Sequence, residues 1–465
     1  MVLIRSIPMT VKLPGTESVC PECLQRLPAR LVTEGETVYL DKECLEHGRF
    51  RVAVWRGRPL FSEWFRPKIR YDGGIREEIR QGCPYDCGLC ARHNQRTCSA
   101  LVEITSRCNL HCPVCFADSG SSGSRGNEPD LDTLKRMFAS IMARTGGCNL
   151  QLSGGEPTVR EDLGEIIKAA RAAGFSFIQL NSNGIKFAED PSYGKRLEEA
   201  GLSTVFLQFD GIDDKVFSII RGRSLFTTKA RAIEHLGMTG LGVVLVPTLV
   251  PGVNTGQLWD IVQFALDRLP GVRGVHFQPV SYFGRFPEHF IPNHVTLPEV
   301  IHLLVAQSDA AVKMEDFTPP GCEHALCSFS ARYLVKEDGK MQLLGKPQCH
   351  SAPELAEQGA LRSIAVTARQ WSRPEGLCEK TMTETDDDLS RFLQRARTHT
   401  FSISGMAFQD CWSMNLERLQ GCCIHVALPD GRLIPFCSYN LTSRNGIPLH
   451  RGRHSAFPST KKLAG

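Results

Sequence analysis

The sequence lacks a long apolar run, a strong excess of charge of one sign, and an apolar segment near its start. Its most apolar stretch, residues 241–250, is short and broken by Pro247, whereas a membrane-spanning helix needs about 18 apolar residues. The 54 basic and 50 acidic side chains nearly cancel, which argues against a nucleic-acid-binding surface. Residues 1–15 contain scattered arginine and lysine, unlike a secretory signal peptide. We therefore expect a cytoplasmic protein with no nucleic-acid partner.

Cysteine is abundant, at 19 of 465 residues. A disulfide-rich secreted protein would be short and would carry a signal peptide, so these cysteines are predicted to be reduced and to bind metal. A chain of this length also exceeds a single core. The predicted segments are a metal module at 1–70, a second cysteine segment at 71–100, an α/β domain at 101–300, a cysteine-rich extension at 301–450 and a disordered tail at 451–465.

The first cysteine group is a four-ligand pattern near the N-terminus. Cys20 and Cys23 form a C-x2-C pair before a predicted hairpin over residues 30–40, and Cys44 and His47 follow it as a C-x2-H pair. Three thiols and an imidazole suit tetrahedral zinc or a single iron. The segment has few large apolar side chains, so a mononuclear iron or zinc would supply much of its folding energy.

A C-x3-C-x2-C run follows at Cys83, Cys87 and Cys90, with Cys98 eight residues further on. Because a four-iron (4Fe–4S) cluster normally takes four cysteines, we predict a fully ligated auxiliary cluster on these four thiols. His93 is the alternative fourth ligand, and a second zinc site is the competing interpretation.

The same spacing recurs at Cys108, Cys112 and Cys115, directly after an apolar segment that is predicted to be a strand. Three thiolates in one loop can hold a four-iron cluster and leave one iron open to a non-protein ligand. A structural zinc knuckle that lacks one ligand is the alternative.

From residue 101, apolar segments alternate with helical patterns, which indicates βα units around a parallel sheet. The predicted strands are 101–105, 148–153, 175–181, 204–210, 242–250 and 274–279, and the predicted helices are 132–144, 160–173, 195–200, 229–236 and 257–269. Six strands suit an open partial barrel, whose function lies at the carboxyl ends of the strands. The polar or turn-forming residues at those ends are Gly154, Gly155, Glu156, Pro157, Asn181, Asn183, Gln208, Asp210 and Pro247.

This ordered set of motifs resembles the radical S-adenosylmethionine (SAM) superfamily. The resemblance implies a partial (β/α)6 barrel, with a 4Fe–4S cluster on the Cys108 loop that binds SAM at its open iron. It implies that the motif around Glu156 holds the methionine amino group, that Asp210 takes the ribose hydroxyls, and that adenine lies near Pro247. It also implies reductive cleavage of SAM to a 5′-deoxyadenosyl radical, with reduced ferredoxin or flavodoxin as the electron donor.

The last third of the chain contains the remaining cysteines. Hairpins are predicted over 332–344 and around Asp430-Gly431, and the second would bring Cys423 towards Cys437. With Cys322 and Cys327, these thiols are predicted to hold a tentative third cluster. The alternatives are Cys411 and Cys422 as competing ligands, or cysteines that are simply buried as small apolar residues.

The N-terminal pattern, GCPYDCGLC, CNLHCPVCFA and GCCIHVALPDGRLIPFCSYN together resemble one subfamily over nearly the full chain. It includes archaeal tetraether lipid synthase and a radical SAM methyltransferase that acts on a reduced hydroxymethylpterin. The resemblance implies carbon–carbon bond formation at unactivated carbon. We expect lipid-tail coupling first, with peripheral membrane contact; pterin methylation and peptide or protein maturation are the alternatives. Residues 276–284 are predicted to line the substrate side, and no cobalamin-binding domain is expected.

Overall fold

The computed structural model describes residues 11–66, 68–74, 77–86, 88–120, 128–287, 292–345, 354–373 and 388–452. It begins with an antiparallel sheet whose four strands follow in chain order: β1 (Val11–Val19), β2 (Arg26–Glu34), β3 (Thr37–Cys44) and β4 (Gly48–Arg56). Strands β2 and β3 confirm the hairpin predicted over 30–40. The turn after β1 contains Cys20 and Cys23, and the turn after β3 contains His47, so the predicted ligands lie in two neighbouring turns.

A short connector anchors this sheet to the rest of the molecule. It contains α1 (Phe61–Trp64) and β5 (Lys68–Ile69). Trp64 is buried and packs against Trp55 of β4, with ring centroids 5.8 Å apart. Its indole N–H donates to the carbonyl of Ala325 at 3.0 Å, so the connector contacts both the N-terminal sheet and the C-terminal part of the chain.

The centre of the fold is a parallel sheet whose six longer strands alternate with helices, which confirms the predicted partial (β/α)6 barrel. The strands are β6 (Ser99–Thr105), β7 (Asn149–Gly154), β8 (Ile178–Ser182), β9 (Thr204–Gln208), β10 (Gly242–Val246), the short β11 (Thr248–Leu249) and β12 (Val272–Pro279). The helices are α2 (Leu131–Thr145), α3 (Leu163–Ala172), α4 (Ile185–Glu189), α5 (Tyr193–Glu199), α6 (Asp214–Arg221), α7 (Phe226–Gly237), α8 (Leu258–Leu266) and α9 (Leu297–Gln307). Short 3-10 helices lie at Pro157–Val159 and Met314–Asp316.

The barrel helices follow the amphipathic spacing that their sequences predict. In α2, the side chains of Leu134, Phe138 and Ile141 are buried at intervals of four and three residues, which places them on one face. The side chain of Asp130 caps the helix by accepting from the Thr133 backbone N–H at 2.8 Å. Gly146 ends the helix in a left-handed conformation. None of the helices in the described ranges is both long and apolar enough to cross a membrane.

The C-terminal extension lengthens the sheet at both edges. Its elements are β13 (Ser328–Val335), β14 (Met341–Leu343), β15 (Glu354–Leu355), α10 (Ala356–Trp371), α11 (Asp388–Thr398), β16 (Thr400–Met406), α12 (Leu416–Gln420), β17 (Ile424–Ala427), β18 (Leu433–Pro435) and α13 (Phe436–Tyr439). At one edge of the sheet, β16 pairs in parallel with β12 and in antiparallel fashion with β13 of the β13–β14 hairpin. At the other edge, β17 pairs in parallel with β6 and then with β18. Strand β15 pairs with β5 in a separate two-stranded sheet. Both predicted hairpins are confirmed, as β13–β14 and β17–β18.

Helix α10 lies across the amino ends of the barrel strands. The side chain of Asn149, at the start of β7, donates to the carbonyl of Ile364 at 3.3 Å. The guanidinium of Arg273, near the start of β12, donates to the carbonyl of Gln370 at 3.2 Å. The helix therefore covers the end of the barrel opposite to the polar motifs.

Candidate functional site

A cavity of about 1130 Å³ occupies the inside of the partial barrel. The structure brings the predicted cysteine triad and most of the predicted motif residues to its wall: Cys108, Cys112, Cys115, Gly154, Gly155, Glu156, Asn181, Asn183 and Gln208. Three other residues predicted for this site, Pro157, Asp210 and Pro247, are buried away from the described cavity wall. The cavity therefore reaches the carboxyl ends of the strands, where the sequence analysis expects a small-molecule site.

The triad loop is held by Arg285, which the sequence analysis missed. Its backbone exchanges two hydrogen bonds with Cys115, at 2.8 and 2.9 Å, and its guanidinium donates to the carbonyl of Cys112 at 2.8 Å. The same guanidinium pairs with Asp118 at 2.9 Å. Arg285 stands 173 positions after Cys112, so no local pattern could have indicated this contact.

The three thiols of the triad suit an iron–sulfur cluster by their number, chemistry and position. Burial raises the pKa of Cys108 to about 12 and also raises the pKa of Cys112. Because metal ligands must be thiolates, loading this site would release protons. A loop that offers three thiols to one open cavity fits a 4Fe–4S cluster that keeps one iron free for SAM.

The two glycines of the GGEP motif serve the protein backbone. Gly155 N–H donates to the carbonyl of Thr105 at 2.8 Å, and Glu156 N–H donates to that of Arg107 at 2.9 Å. A Cβ at Gly155 would lie 2.7 Å from the carbonyl carbon of Arg107, and one at Gly154 would overlap the Thr105 carbonyl. The sequence suggested close approach of a ligand here; the structure adds close approach of the chain segment that leads to Cys108.

Glu156 joins the loops after β7 and β8. Its carboxylate accepts from Thr158 Oγ1 at 2.7 Å, from Ser182 Oγ at 2.8 Å and from the Asn183 N–H at 2.6 Å. Burial of the whole side chain raises the pKa of Glu156 above its usual value, against these stabilising bonds. The contact of Glu156 with the SAM amino group stays a prediction. Its hydrogen bonds show a second role, which is to hold the loops after β7 and β8 together.

Asp210 is bonded to other parts of the protein, and its predicted contact with ribose stays a prediction. Its carboxylate forms a two-pronged pair with the guanidinium of Arg221, both contacts at 2.7 Å, and also accepts from the Thr248 N–H at 3.0 Å. The carboxylate is fully buried, so contact with a ribose hydroxyl would require this strand end to open. Arg221, at the end of α6, is itself part of the cavity wall and stands between the carboxylate and the cavity.

The N-terminal ligand set is brought together as the sequence predicted. The ligand atoms of Cys20, Cys23, Cys44 and His47 all lie within 4.8 Å of one another. His47 Nδ1 lies 3.4 Å from Cys44 Sγ, and this contact lowers the pKa of Cys44 to about 7. Four closely grouped ligands of this kind suit a closed tetrahedral metal site.

The structure groups Cys98 with two C-terminal cysteines. Cys98 Sγ lies 3.3 Å from Cys322 Sγ, which lies 3.2 Å from Cys423 Sγ. Cys98 immediately precedes β6 and Cys423 immediately precedes β17, and the parallel pairing of these strands aligns the two thiols. This differs from the predicted grouping of Cys98 with Cys83, Cys87 and Cys90, because strand pairing across the sheet edge outweighs nearness along the chain.

The other predicted auxiliary ligands divide into two sets. A hydrogen bond to the Cys83 thiol raises the pKa of Cys90, whereas Cys87 lies outside the described residues. Cys327 accepts from Arg418 at 3.1 Å, and Cys437 accepts from the Gln409 N–H at 3.3 Å. The four cysteines of the predicted third cluster therefore do not lie together: Cys322 and Cys423 are grouped with Cys98, and Cys327 and Cys437 lie elsewhere.

Cys327 and Cys437 instead lie near Cys422, whose pKa is raised well above its usual range by burial and by these two neighbours. Cys422 was a competing ligand in the sequence analysis.

The cavity connects the two ends of the barrel. Its wall includes Cys98, Cys322 and Cys423 at the amino end of β6 as well as the Cys108 triad after the carboxyl end of that strand. A strand of this length spans roughly 20 Å. A molecule in the cavity would therefore lie between the Cys108 triad and the group formed by Cys98, Cys322 and Cys423.

Two protein-family models match the chain. Residues 102–265 match the model described as the radical SAM superfamily, and residues 13–56 match the HMPTM N-terminal zinc ribbon domain. The first match begins in β6 and ends in α8, and the second contains all four predicted N-terminal ligands. Both matches coincide with sites that the geometry indicates.

The similar proteins differ in how much of the chain they share. The 7,8-dihydro-6-hydroxymethylpterin dimethyltransferase of Methanocaldococcus jannaschii is 35% identical over 481 aligned positions, which cover 93% of this chain and 94% of that protein. A probable GTP 3′,8-cyclase of Methanothermobacter thermautotrophicus is 30% identical over 180 positions, covering 38% and 56%. Among solved structures, Streptococcus suis SuiB bound to S-adenosylmethionine has 15% identity and a TM-score of 0.36, covering 46% and 48%. Only the first of these three extends over nearly the whole of both chains.

Proposed function

The chain belongs to the radical SAM superfamily, in the family of the Methanocaldococcus jannaschii 7,8-dihydro-6-hydroxymethylpterin dimethyltransferase, and from this premise we propose that it methylates a reduced hydroxymethylpterin. That the protein is a radical SAM enzyme follows from the family itself. The pterin substrate is supported by one observation above all, the 35% identity over 93% of the chain. That similarity includes the cysteine-rich extension as well as the barrel.

The cavity wall combines many apolar side chains with the side-chain amides of Gln151 and Gln179, a combination that suits a compact ring with polar edges. The comparisons lend no support to the lipid-tail coupling that the sequence analysis placed first, and they favour its pterin alternative.

The residues at the carboxyl ends of the strands would position the cofactors. When bound, the cluster and SAM supply a 5′-deoxyadenosyl radical that removes hydrogen from carbon. Arg285 holds the Cys112 and Cys115 backbone, and the Gly155 and Glu156 backbone fixes the start of the triad loop. The Asp210–Arg221 pair joins the end of β9 to the end of α6, and Asp210 also bonds to the start of β11. We propose zinc for the N-terminal site and reduced ferredoxin or flavodoxin as the electron donor.

The test is anaerobic turnover of reconstituted protein with excess reductant, 7,8-dihydro-6-hydroxymethylpterin, SAM as the radical source and a separate one-carbon donor, followed by mass spectrometry of the pterin. The donor is either a second molecule of SAM or a methylene-carrying reduced folate, with the reductant supplying the electrons that complete the methyl group. We expect methylated pterin together with 5′-deoxyadenosine, and neither product from the Cys112→Ala variant. Formation of 5′-deoxyadenosine at a rate that the pterin does not alter, with no methylated pterin, would refute the proposed substrate while leaving the superfamily assignment intact.

A further inference from the structure

Three aromatic rings line the cavity, nearer to the amino ends of the strands than the predicted SAM contact Gln208. Phe206 precedes Gln208 by two residues on β9, and His276 precedes Gln278 by two residues on β12, so each pair shares a face of its strand. Two residues along a strand span about 7 Å. Trp371, at the end of α10, completes the group, and all three rings belong to the cavity wall.

The rings contact one another closely. The Phe206 and Trp371 ring centroids are 4.6 Å apart, those of Phe206 and His276 are 5.8 Å apart, and those of His276 and Trp371 are 5.9 Å apart. His276 Nδ1 bonds to Ser404 Oγ at 2.9 Å, and burial lowers the pKa of this histidine to about 4, so its ring is neutral near pH 7. The ring planes are inclined to one another by 61°, 40° and 67°, so the rings form an uncharged aromatic corner in which a flat ligand can stack on one ring and meet the edges of the others.

Trp371 is positioned by the strands beneath it. A Cβ at Gly242, the first residue of β10, would overlap the Trp371 carbonyl, so the glycine permits the end of α10 to pack directly on the barrel. The Trp371 side chain stays partly accessible beside two buried rings. An aromatic residue that only filled the core would be enclosed on every side.

Polar groups line other parts of the same cavity at a similar depth. Gln179 precedes Asn181 by two residues on β8, and Gln151 pairs in register with Gln179 from β7. Ser402 also lies on the wall, with its hydroxyl packed over Gly274 of the neighbouring strand β12.

We propose that Phe206, His276 and Trp371 form the surface on which the pteridine ring of the substrate stacks, while the Gln151 and Gln179 amides bind its polar edge. This inference rests on the proposed function. A pterin is flat on its faces, and it alternates hydrogen-bond donors and acceptors along one edge. Aromatic rings match the first property, and side-chain amides, which each offer both a donor and an acceptor, match the second.

The test is the affinity of the reconstituted protein for 7,8-dihydro-6-hydroxymethylpterin, measured anaerobically by equilibrium dialysis, with SAM affinity measured beside it. Trp371→Leu is expected to weaken pterin binding about tenfold, and Trp371→Phe, which keeps a ring, is expected to recover most of it. Gln179→Leu is expected to weaken pterin binding to a similar degree. Leu361→Ala, on an exposed part of α10, is the matched control and should bind as wild type.

The outcomes separate the two proposals. Failure of the wild type to bind the pterin would refute the proposed function. If the wild type binds it, equal affinity in Trp371→Leu, Gln179→Leu and the Leu361→Ala control would overturn the stacking surface alone. If Trp371→Leu also loses SAM binding, the Gln179→Leu and Trp371→Phe variants decide the question. Wild-type pterin affinity in Gln179→Leu would overturn the inference. Weaker pterin binding with unchanged SAM binding in Gln179→Leu, and recovery of pterin binding in Trp371→Phe, would support it.

Discussion

Gly155→Ala should disable the catalytic site through the backbone that leads to the triad. The added Cβ would lie 2.7 Å from the carbonyl carbon of Arg107 and 3.0 Å from the carbonyl oxygen of Ser106, whereas ordinary contact begins at 3.4 Å. The segment before Cys108 would have to move by roughly 1 Å, which endangers the hydrogen bonds from the Gly155 and Glu156 N–H groups. Overpacking costs about 1–3 kcal/mol and each lost bond about 1 kcal/mol, so we expect about 3–5 kcal/mol in all.

Three measurements check this expectation on reconstituted protein: denaturant unfolding, iron content, and 5′-deoxyadenosine formation from SAM. The variant should unfold at lower denaturant concentration and should form at least about tenfold less 5′-deoxyadenosine. Gly164→Ala is the matched control, because a Cβ there meets nothing within 4 Å and alanine favours the α3 helix. Gly155→Ala with the stability, iron content and SAM cleavage of this control would refute the reasoning, since the close packing would then carry no constraint.

Three further predictions test the other metal sites and the loop clamp. Arg285→Ala removes the guanidinium contacts to Cys112 and Asp118, so it should lower SAM cleavage and iron retention more than Arg285→Lys; equal, wild-type values in both would contradict the clamp. Cys98→Ala and Cys423→Ala should remove the same Mössbauer component, and Cys83→Ala a different one; a component shared by Cys98 and Cys83 would restore the grouping inferred from the sequence. Treatment with a strong chelator should release zinc and destabilise the N-terminal sheet, since metal binding to such small modules supplies about 10–16 kcal/mol. Calorimetry and a colorimetric zinc assay would measure both effects; loss of iron with the cluster Mössbauer components unchanged would identify a mononuclear iron instead.

The C-terminal extension changes the shape of the barrel. It adds β16 and β17 to opposite edges of the sheet and lays α10 across its amino end. The barrel is thereby closed at the end away from the triad, and the covering helix contributes Trp371 to the cavity wall. The extension thus shapes one end of a cavity whose other end is built by the barrel motifs.

Local features of this protein were determined by the sequence alone. The Cys108 triad lies within one loop, and the Cys20–Cys23 and Cys44–His47 pairs flank one hairpin, so short chain connections keep these ligands together whatever surrounds them. The alternation of apolar segments predicted the barrel because the faces of strands and helices repeat over a few residues. The same locality made both C-terminal hairpins predictable from their turns.

The tertiary structure decided which distant residues meet. Cys98 joins Cys423 only because β6 pairs with β17, more than three hundred residues later in the chain, and Arg285 reaches the triad only through the path after β12. Asp210 lies just after a strand end as expected, and its carboxylate pairs with Arg221, a partner that the sequence did not indicate. Trp371 approaches the cavity because α10 packs on the strand starts. Periodicity and spacing report the local conformation of a chain, whereas these contacts depend on which sheet edge or strand end a later segment occupies.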